Sequence, residues 1–308
     1  MKKFLLKSAL FLGLLLLLDV AAGAVFSYMS HHARGGAYQR YNYITQETTD
    51  DILIFGSSRA MHHYNPRILT DSLGLTCYNC GQDGNGIILA YGWWQTIRQR
   101  HRPRIIIYEV TSGYDALECD NHQFLGWLKE VYDRDGIAEI FDDVDPTERW
   151  KMLSHLYRYN SKVHQLVADF VAPVHDVSNG FVPQYGELDP LLLRHAADRE
   201  GAPQTYRFDS LKIAYLNRLI DETSDIHLVF VVSPVWYGSN PAPLAPIRNL
   251  CRERGVPFID FSGNPKYVHR NEYFKDGNHL NAVGADEFSR DLASELKALG
   301  LSDGVRPQ

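Results

Sequence analysis

Short apolar runs alternate with helical patterns along most of this chain. Each run is four to seven residues long and is bounded by polar or turn residues, which is typical of buried parallel strands. The five runs are Ile52–Phe55, Leu75–Tyr78, Arg104–Val110, Ile226–Val232 and Val256–Phe261. Five strands that alternate with helices predict an α/β fold, a three-layer sandwich around a parallel five-stranded sheet.

Helix signals lie between these runs. Asn65-Pro66 is typical of an N-cap followed by proline in the first helical turn, and Gly74 is typical of a helix end. Apolar residues recur at helical spacing in the later segments. The further predicted helices are one from Ile87 to Ile97, Leu211–Ile220, Pro246–Arg254 and Ala282–Leu299.

Between residues 115 and 209, the alternation of short apolar runs with helical patterns is interrupted. Aromatic-rich stretches predict helices over Phe124–Tyr132 and Trp150–Phe170, and an irregular stretch follows. This stretch contains Pro173, Pro183 and Pro190. We interpret residues 115–209 as an insertion in a domain of residues 51–298, packed over the active edge of the sheet, with a tail at 299–308.

The N-terminus is strongly apolar. Three lysines precede the run Ala9–Leu18, and weaker hydrophobicity continues to Tyr28. A cleaved signal peptide is one interpretation, because Ala22-Gly23-Ala24 is a small-residue pattern that a signal peptidase accepts. The other is an uncleaved anchor, because Ser8–Tyr28 has 21 residues, against about 20 needed to span a bilayer.

The anchor is favoured because apolar character persists beyond the candidate cleavage site. We therefore expect a transmembrane helix within residues 1–28 and a polar juxtamembrane stalk over residues 29–50. The lysines at positions 2, 3 and 7 would hold the N-terminus in the cytoplasm and send the rest of the chain across. The expected location is membrane-anchored, with the domain in the periplasm or at the cell surface.

Composition narrows the classes of partner. The chain has 308 residues, 45% hydrophobic and 22% charged, as expected for a globular protein with a sizeable core. A net charge of −6 and a pI near 6.1 argue against a nucleic-acid partner, which favours a basic face. Cys77 and Cys80 have C-x-x-C spacing, but no second pair or paired histidine completes a metal site, so buried thiols or an incidental disulfide are favoured.

Residues that suit acyl transfer stand at two distant places in the chain. Acyl transfer needs a nucleophile, a base, a group that orients the base and donors for the oxyanion. Ser58 follows the first strand, where ligands collect in open α/β sheets. His279 is the candidate base, and Asp276 is placed to orient it through Nδ1. The amides of Ser58 and Gly81 are candidate oxyanion donors.

These residues form three motifs in a recognisable order. Phe55-Gly56-Ser57-Ser58 is similar to the first block of the SGNH (GDSL-type) hydrolase superfamily, Asn79-x-Gly81 resembles its second, and Asp276-x-x-His279 resembles its last. The resemblance covers roughly residues 51–115 and 210–298. It implies a flavodoxin-like sandwich and Ser-dependent esterase or acyltransferase chemistry without a cofactor or metal.

The chain departs from the superfamily pattern in two ways. Ser57 replaces the usual Asp before the nucleophile, and this Gly-Ser-Ser version resembles membrane-anchored D-alanyl-transfer proteins of teichoic acid modification and some extracytoplasmic polysaccharide acetyltransferases. The Asn of the third block is missing. Thr111 or Ser112 stands in its place, and Asn85 is another candidate donor. Losing one oxyanion donor costs on the order of a hundredfold in rate.

Three neighbours of the candidate nucleophile have two interpretations each. Arg59 either binds an acidic group of the substrate or pairs with a carboxylate. His62 and His63 are either metal ligands or pocket and surface histidines, and no set of partner ligands supports a metal site.

The pattern predicts an extracytoplasmic Ser-dependent esterase or O-acyltransferase. Its expected substrate is an acylated carbohydrate or another envelope ester, with a membrane acyl-transfer protein as a candidate partner. The alternative is a catalytically silent module that binds polysaccharide or that membrane partner.

Overall fold

The computed structural model describes residues 1–172, 174, 178–189, 205–238 and 240–302. The chain divides into two compact units. The helical unit comprises Met1–Glu47 and Asn121–Asp176, and the sheet unit comprises Thr48–Asp120 and Val177–Gln308. Pro173 and Pro190, the segments 175–177 and 190–204, and most of the predicted tail lie outside the described residues.

A five-stranded parallel sheet forms the centre of the sheet unit. Its strands are β1 (Ile52–Phe55), β2 (Cys77–Asn79), β3 (Ile105–Glu109), β4 (His227–Val232) and β5 (Phe258–Asp260). Their spatial order is β2-β1-β3-β4-β5, and every pairing is parallel. This flavodoxin-like order confirms the predicted α/β class.

Helices flank the sheet. On one face, Ile52 and Ile54 of β1 join a buried cluster with Phe288 and Leu292 of the last helix. The alternate residues of β1 are equally buried and face the opposite side. The helices of this unit are Ser58–His63, Pro66–Leu73, Ile87–Arg98, Ser112–Asp115, Ser210–Glu222, Ala245–Arg254 and Ala282–Ala298, with short 3-10 turns at Ala242–Leu244 and Asn271–Tyr273.

The predicted helix ends in this unit have the expected chemistry. The Asn65 side chain accepts a hydrogen bond from the Arg67 amide, and Pro66 occupies the first turn. Gly74 and Gly255 end their helices in the left-handed conformation, which glycine adopts without steric cost. Residues that are neighbours in sequence therefore set both ends of the helix Pro66–Leu73 and the end of the helix Ala245–Arg254.

The helical unit differs from the prediction. Its elements are the helices Lys2–His32, Gly36–Asn42, Ile137–Val144, Glu148–Lys151 and Val163–Val171, a π-helix at Tyr43–Glu47, and 3-10 turns at Asn121–Leu125, Lys129–Val131 and Leu156–Arg158. The helix predicted over Trp150–Phe170 is broken, because the amides of His155 and Leu156 turn away to donate to the carboxylate of Asp19. The stretch Phe124–Tyr132 likewise forms only short turns.

The expected stalk over residues 29–50 is also structured. Tyr38 and Tyr41 are buried and pack against the ring of Trp127, at centroid distances of 5.5 and 5.7 Å. The Tyr38 hydroxyl donates to Glu130 at 2.7 Å. Aromatic packing and hydrogen bonds within the helical unit therefore order the segment over which a polar juxtamembrane stalk is predicted.

The first helix, Lys2–His32, has 31 residues and is long and apolar enough to cross a membrane. A signal sequence meets the same criterion of length and composition. Its N-terminal half is exposed, whereas Gly23 and Ser30 are buried.

Candidate active site

The candidate nucleophile stands at the carboxyl end of β1. Gly56 links the strand to the helix Ser58–His63 with φ of 142°, and a Cβ at this position would lie 2.7 Å from the carbonyl oxygen of Glu109. Only glycine fits this close approach to β3. Ser58 is the first helical residue and is partly exposed, while Ser57 before it is buried.

The structure brings Ser58, His279 and Asp276 together. Nε2 of His279 lies 2.8 Å from Oγ of Ser58. Nδ1 of His279 lies 2.9 Å from Oδ2 and 3.1 Å from Oδ1 of Asp276. Because a carboxylate only accepts, the ring proton sits on Nδ1, and Nε2 is left as the acceptor for the Ser58 hydroxyl proton.

Asp276 is held in its ionised form. Burial raises its pKa, but hydrogen bonds from the His279 ring and from the amides of Asn278 and His279 outweigh burial and lower the pKa below its usual value. Both amides lie within 2.9 Å of Oδ1. The same carboxylate thus shapes the turn and orients the imidazole.

The predicted oxyanion donors have different environments. Ser58 lies in the first turn of its helix, where the amides have no intrahelical acceptor. The Gly81 amide instead donates to Oδ1 of Asn79 at 2.9 Å. A Cβ on Gly81 would lie 2.4 Å from the Met61 amide nitrogen. Gly81 is therefore required for the turn to pack against the helix Ser58–His63.

Two of the three candidate substitutes for the missing Asn, Thr111 and Asn85, make hydrogen bonds to neighbouring residues. The Thr111 hydroxyl lies 2.7 Å from the Ser57 hydroxyl and accepts from Nε of Arg59 at 3.3 Å. The Asn85 side chain is buried and donates from Nδ2 to the carbonyl of Asp83 at 2.7 Å. Oδ1 of Asn85 is buried with no partner among the described residues.

Arg59 is directed into the protein. Its guanidinium lies 3.0 Å from Oε1 of Glu109 and also donates to the carbonyl of Val110. The side chain is about 11% exposed. Of the two interpretations made for Arg59, these contacts agree with pairing to a carboxylate.

A buried acid at the end of β3 was missed in the sequence. The carboxylate of Glu109 accepts from the Ser233 amide and hydroxyl, both at 3.0 Å, and from the Tyr64 hydroxyl. Burial raises its pKa to about 7, although the Arg59 guanidinium opposes the rise. A charged residue that directly follows a run of buried isoleucines is the one sequence signal for this site.

His63 links this acid to the loop of the candidate base. Its Nε2 accepts from the Leu280 amide at 3.0 Å, so its proton sits on Nδ1, which donates to the Ser233 hydroxyl at 2.8 Å. Burial lowers the pKa of His63 well below its usual value, helped by His279 and Arg59. The neutral ring thus connects Glu109, through Ser233, to the residue next to His279.

His62 holds two further loops beside the site. Its Nδ1 lies 2.6 Å from the Val182 carbonyl and its Nε2 lies 3.0 Å from Oδ1 of Asp83. Its ring centroid is 5.8 Å from that of His279. Tyr237 was also missed in the sequence. It packs against the loop Asp276–His279, since a Cβ on Gly277 would lie 2.5 Å from the Tyr237 ring.

The four cysteines take no part in the contacts described above. None of the four cysteines forms a disulfide within the described part of the chain, and Cys77, Cys80 and Cys251 are buried. Burial raises the pKa of the Cys77 thiol well above its usual value. A raised pKa disfavours the thiolate that redox chemistry or metal binding needs.

Comparisons with known proteins gave only distant similarities. No protein-family model matches the chain, and no curated protein matches it. Among solved structures, the chain is similar to a family two carbohydrate esterase from Clostridium thermocellum in complex with cellohexaose, with a TM-score of 0.41 and 11% identity over 81% of this chain. The chain spans 64% of that esterase's length.

A second similar structure is described as a candidate platelet activating factor from Streptococcus pneumonia. Its TM-score is 0.39, with 11% identity over 95% of this chain and 98% of that one. Similarities at this level do not extend to activity or substrate.

Proposed function

We propose that this chain is an extracytoplasmic Ser-dependent esterase or O-acyltransferase that acts on acyl esters of an envelope carbohydrate. The observation that carries the proposal is the 2.8 Å contact between Oγ of Ser58 and Nε2 of His279, with the opposite ring nitrogen on Asp276. A nucleophile, a base and an orienting carboxylate in hydrogen-bond contact are the parts that acyl transfer requires.

The reaction begins when Ser58 Oγ attacks the acyl carbonyl. His279 Nε2 takes the hydroxyl proton, and the carbonyl electron pair becomes the oxyanion. When the intermediate collapses, the bond to the alcohol oxygen breaks and that oxygen takes the proton back from His279. Asp276 stabilises the imidazolium between these two steps.

The second half of the reaction decides between the two activities. Water or a sugar hydroxyl enters, gives its proton to His279 and attacks the acyl carbon on Ser58. The Ser58 oxygen then leaves with that proton. Water gives an esterase and a sugar gives a transferase, and no residue of the triad distinguishes the two acceptors.

The Ser58 amide is the oxyanion donor best supported by its position in the first helical turn. The Thr111 hydroxyl is a second donor under this proposal. If Ser57 donates to Thr111, the Thr111 hydroxyl keeps its own proton for the substrate. The Ser57–Thr111 pair would then replace the Asn that the superfamily pattern places after the third strand.

The apolar N-terminal helix supports the proposed envelope substrate. A helix that is long and apolar enough to span a bilayer supports an anchored enzyme. Lysines at its start favour a cytoplasmic N-terminus and an external domain. A domain anchored on the external side of the membrane can reach esters of envelope carbohydrates, and these can serve as acyl donors or acceptors.

One observation favours a second candidate function. The Gly81 amide already donates to Oδ1 of Asn79 at 2.9 Å. If the Thr111 hydroxyl does not compensate, the oxyanion would have one donor and the site would turn over poorly. The chain would then act as a binding module for polysaccharide or for a membrane acyl-transfer protein.

Hydrolysis of p-nitrophenyl acetate by the detergent-solubilised full-length protein tests the proposal, with oligosaccharides added as acceptors. Ser58→Ala and His279→Ala are expected to lower nitrophenolate release at least about a thousandfold. Ser294→Ala, on the exposed face of the last helix, is the matched control. Acetylated oligosaccharide in the mass spectrum identifies a transferase.

Hydrolysis that survives Ser58→Ala refutes the nucleophile. Polysaccharide binding without hydrolysis, equal in the wild type and in Ser58→Ala, supports the binding module.

A further inference from the structure

The apolar helix Lys2–His32 carries one acid within its hydrophobic part, and the helical unit satisfies it. The carboxylate of Asp19 accepts from the Ser154 hydroxyl at 2.6 Å and from the amides of His155 and Leu156 at 2.8 and 3.1 Å. One turn later, a Cβ on Gly23 would lie 2.3 Å from Cβ of His155. The turn around residues 153–156 therefore lies directly against positions 19–23 of the helix.

The depth of this contact in a bilayer can be worked out from the length of a membrane-spanning segment. A bilayer takes about 20 apolar residues. Counted from the residue after Lys3, a span of that length ends near Gly23, and counted from the residue after Lys7 it ends near Ser27. Both ends lie beyond Asp19, so if this helix spans a bilayer, Asp19 falls inside it in either case.

A carboxylate at that depth is costly unless protein groups replace water around it. The Ser154 hydroxyl, the amides of His155 and Leu156, and Nδ1 of His155, which lies 3.3 Å from Oδ2 of Asp19, supply that replacement. The turn must therefore reach the same depth as Asp19.

Three large apolar side chains on this turn and just before it are exposed, interspersed with the exposed polar residues Lys151 and His155. Trp150 is 70% exposed, Leu153 is 71% exposed and Leu156 is 38% exposed. Exposed apolar surface gains free energy when it leaves water for lipid, and Trp is enriched at the boundary between membrane and water. These three residues form the membrane-facing patch.

We propose that the membrane-facing patch, Trp150, Leu153 and Leu156, inserts into the lipid bilayer beside the apolar helix. The occupant is lipid, because the patch lies on the turn that contacts Asp19 of a helix with the length and composition of a membrane span. The helix Lys2–His32 is then part of the mature fold and not a cleaved signal. This inference does not depend on the enzymatic proposal.

Another exposed apolar residue of the same unit provides a matched control. Val171 is 72% exposed, and its neighbour Phe170 lies 6.3 Å from the ring of Tyr28. Tyr28 follows both predicted ends of the span. Val171 is therefore expected in water, although it is as apolar and as exposed as Leu153.

The test places a fluorophore at each position in the full-length protein. Leu153→Cys and Val171→Cys are made in a Cys119→Ser background, because Cys119 is the exposed one of the four thiols. Both are labelled with an environment-sensitive dye in phosphatidylcholine nanodiscs. Quenching by doxyl-labelled phosphatidylcholine and by aqueous iodide is then measured.

The proposal predicts lipid quenching several-fold stronger at position 153 than at 171, and iodide quenching several-fold weaker. Equal iodide quenching at the two positions would overturn it. Protection of position 153 from both quenchers would also overturn it, because the patch would then be covered by protein. Asp19→Ala is expected to raise iodide quenching at position 153 by releasing the turn.

Discussion

Glu109→Gln is expected to change how the stability of the protein depends on pH. The Glu109 carboxyl is buried with Arg59, Tyr64 and Ser233 around it, and burial raises its pKa to about 7. An acid with a higher pKa in the folded protein holds its proton more tightly there. It therefore favours the folded state below its unfolded pKa of 4.5, and this contribution is lost as the pH rises through about 7.

The magnitude follows from the two pKa values. A tenfold change in an equilibrium constant corresponds to about 1.4 kcal/mol, so the difference between 4.5 and about 7 is worth about 3 kcal/mol. The wild type should lose most of this free energy of unfolding, relative to Glu109→Gln, between about pH 5 and pH 8. The opposite contribution of buried neutral His63 is common to both proteins and cancels.

Urea unfolding of the detergent-solubilised full-length protein, followed by near-ultraviolet circular dichroism, measures the difference. Tyr64→Phe is the control, because the Tyr64 hydrogen bond lowers the pKa of Glu109. Its loss should move the midpoint of the pH dependence upward. A wild type and a Glu109→Gln variant with parallel pH profiles would refute the assignment of Glu109 as a buried acid that titrates near neutrality.

Three further substitutions probe the site. Asp276→Asn should lower kcat by up to about 10⁴-fold with KM little changed, because the His279 tautomer is no longer fixed; steady-state kinetics with unchanged kcat would contradict this. Thr111→Val should lower kcat by about a hundredfold if the hydroxyl stabilises the oxyanion, whereas Thr111→Ser should retain activity. Equal kcat in the two variants would remove Thr111 from the site. Gly81→Ala should cost about 1–3 kcal/mol of stability, because its Cβ meets the Met61 amide, whereas Gly263→Ala, with nothing within 4 Å, should leave the urea midpoint unchanged.

The sheet was predictable because its signals are local. Isoleucine-rich runs such as Ile105–Ile107, and end signals such as Asn65-Pro66 and Gly74, depend on neighbours in sequence. Parallel strands place their carboxyl ends at one edge, which predicted the position of Ser58. The meeting of Ser58 with the Asp276–His279 loop was expected from the resemblance of the motifs and from their order, although 217 residues separate Ser58 from Asp276.

The network around Glu109 was not predictable in the same way. Glu109, Ser233 and His63 each stand alone in the sequence, and only the fold brings them together. The role of Gly81 was also hidden, because its closeness to the Met61 amide depends on how two connections pack.

The contacts within the helical unit were even less predictable from the sequence. Asp19 interrupts an apolar run and is satisfied by a turn 135 residues away. That tertiary contact breaks the helix expected over Trp150–Phe170, where helix propensity alone favours continuity. Similarly, Tyr38 and Tyr41 pack against Trp127, which follows Tyr41 by 86 residues, and these contacts order the segment of the expected stalk.

Covalent labelling of the full-length protein with a fluorophosphonate, followed by peptide mass spectrometry, tests the central assignment most directly. The reagent captures a serine only when a base activates it. The account predicts one phosphonylated residue, Ser58, with labelling lost in Ser58→Ala and strongly reduced in His279→Ala. Labelling that persists in Ser58→Ala, or an adduct on a different serine, would contradict it.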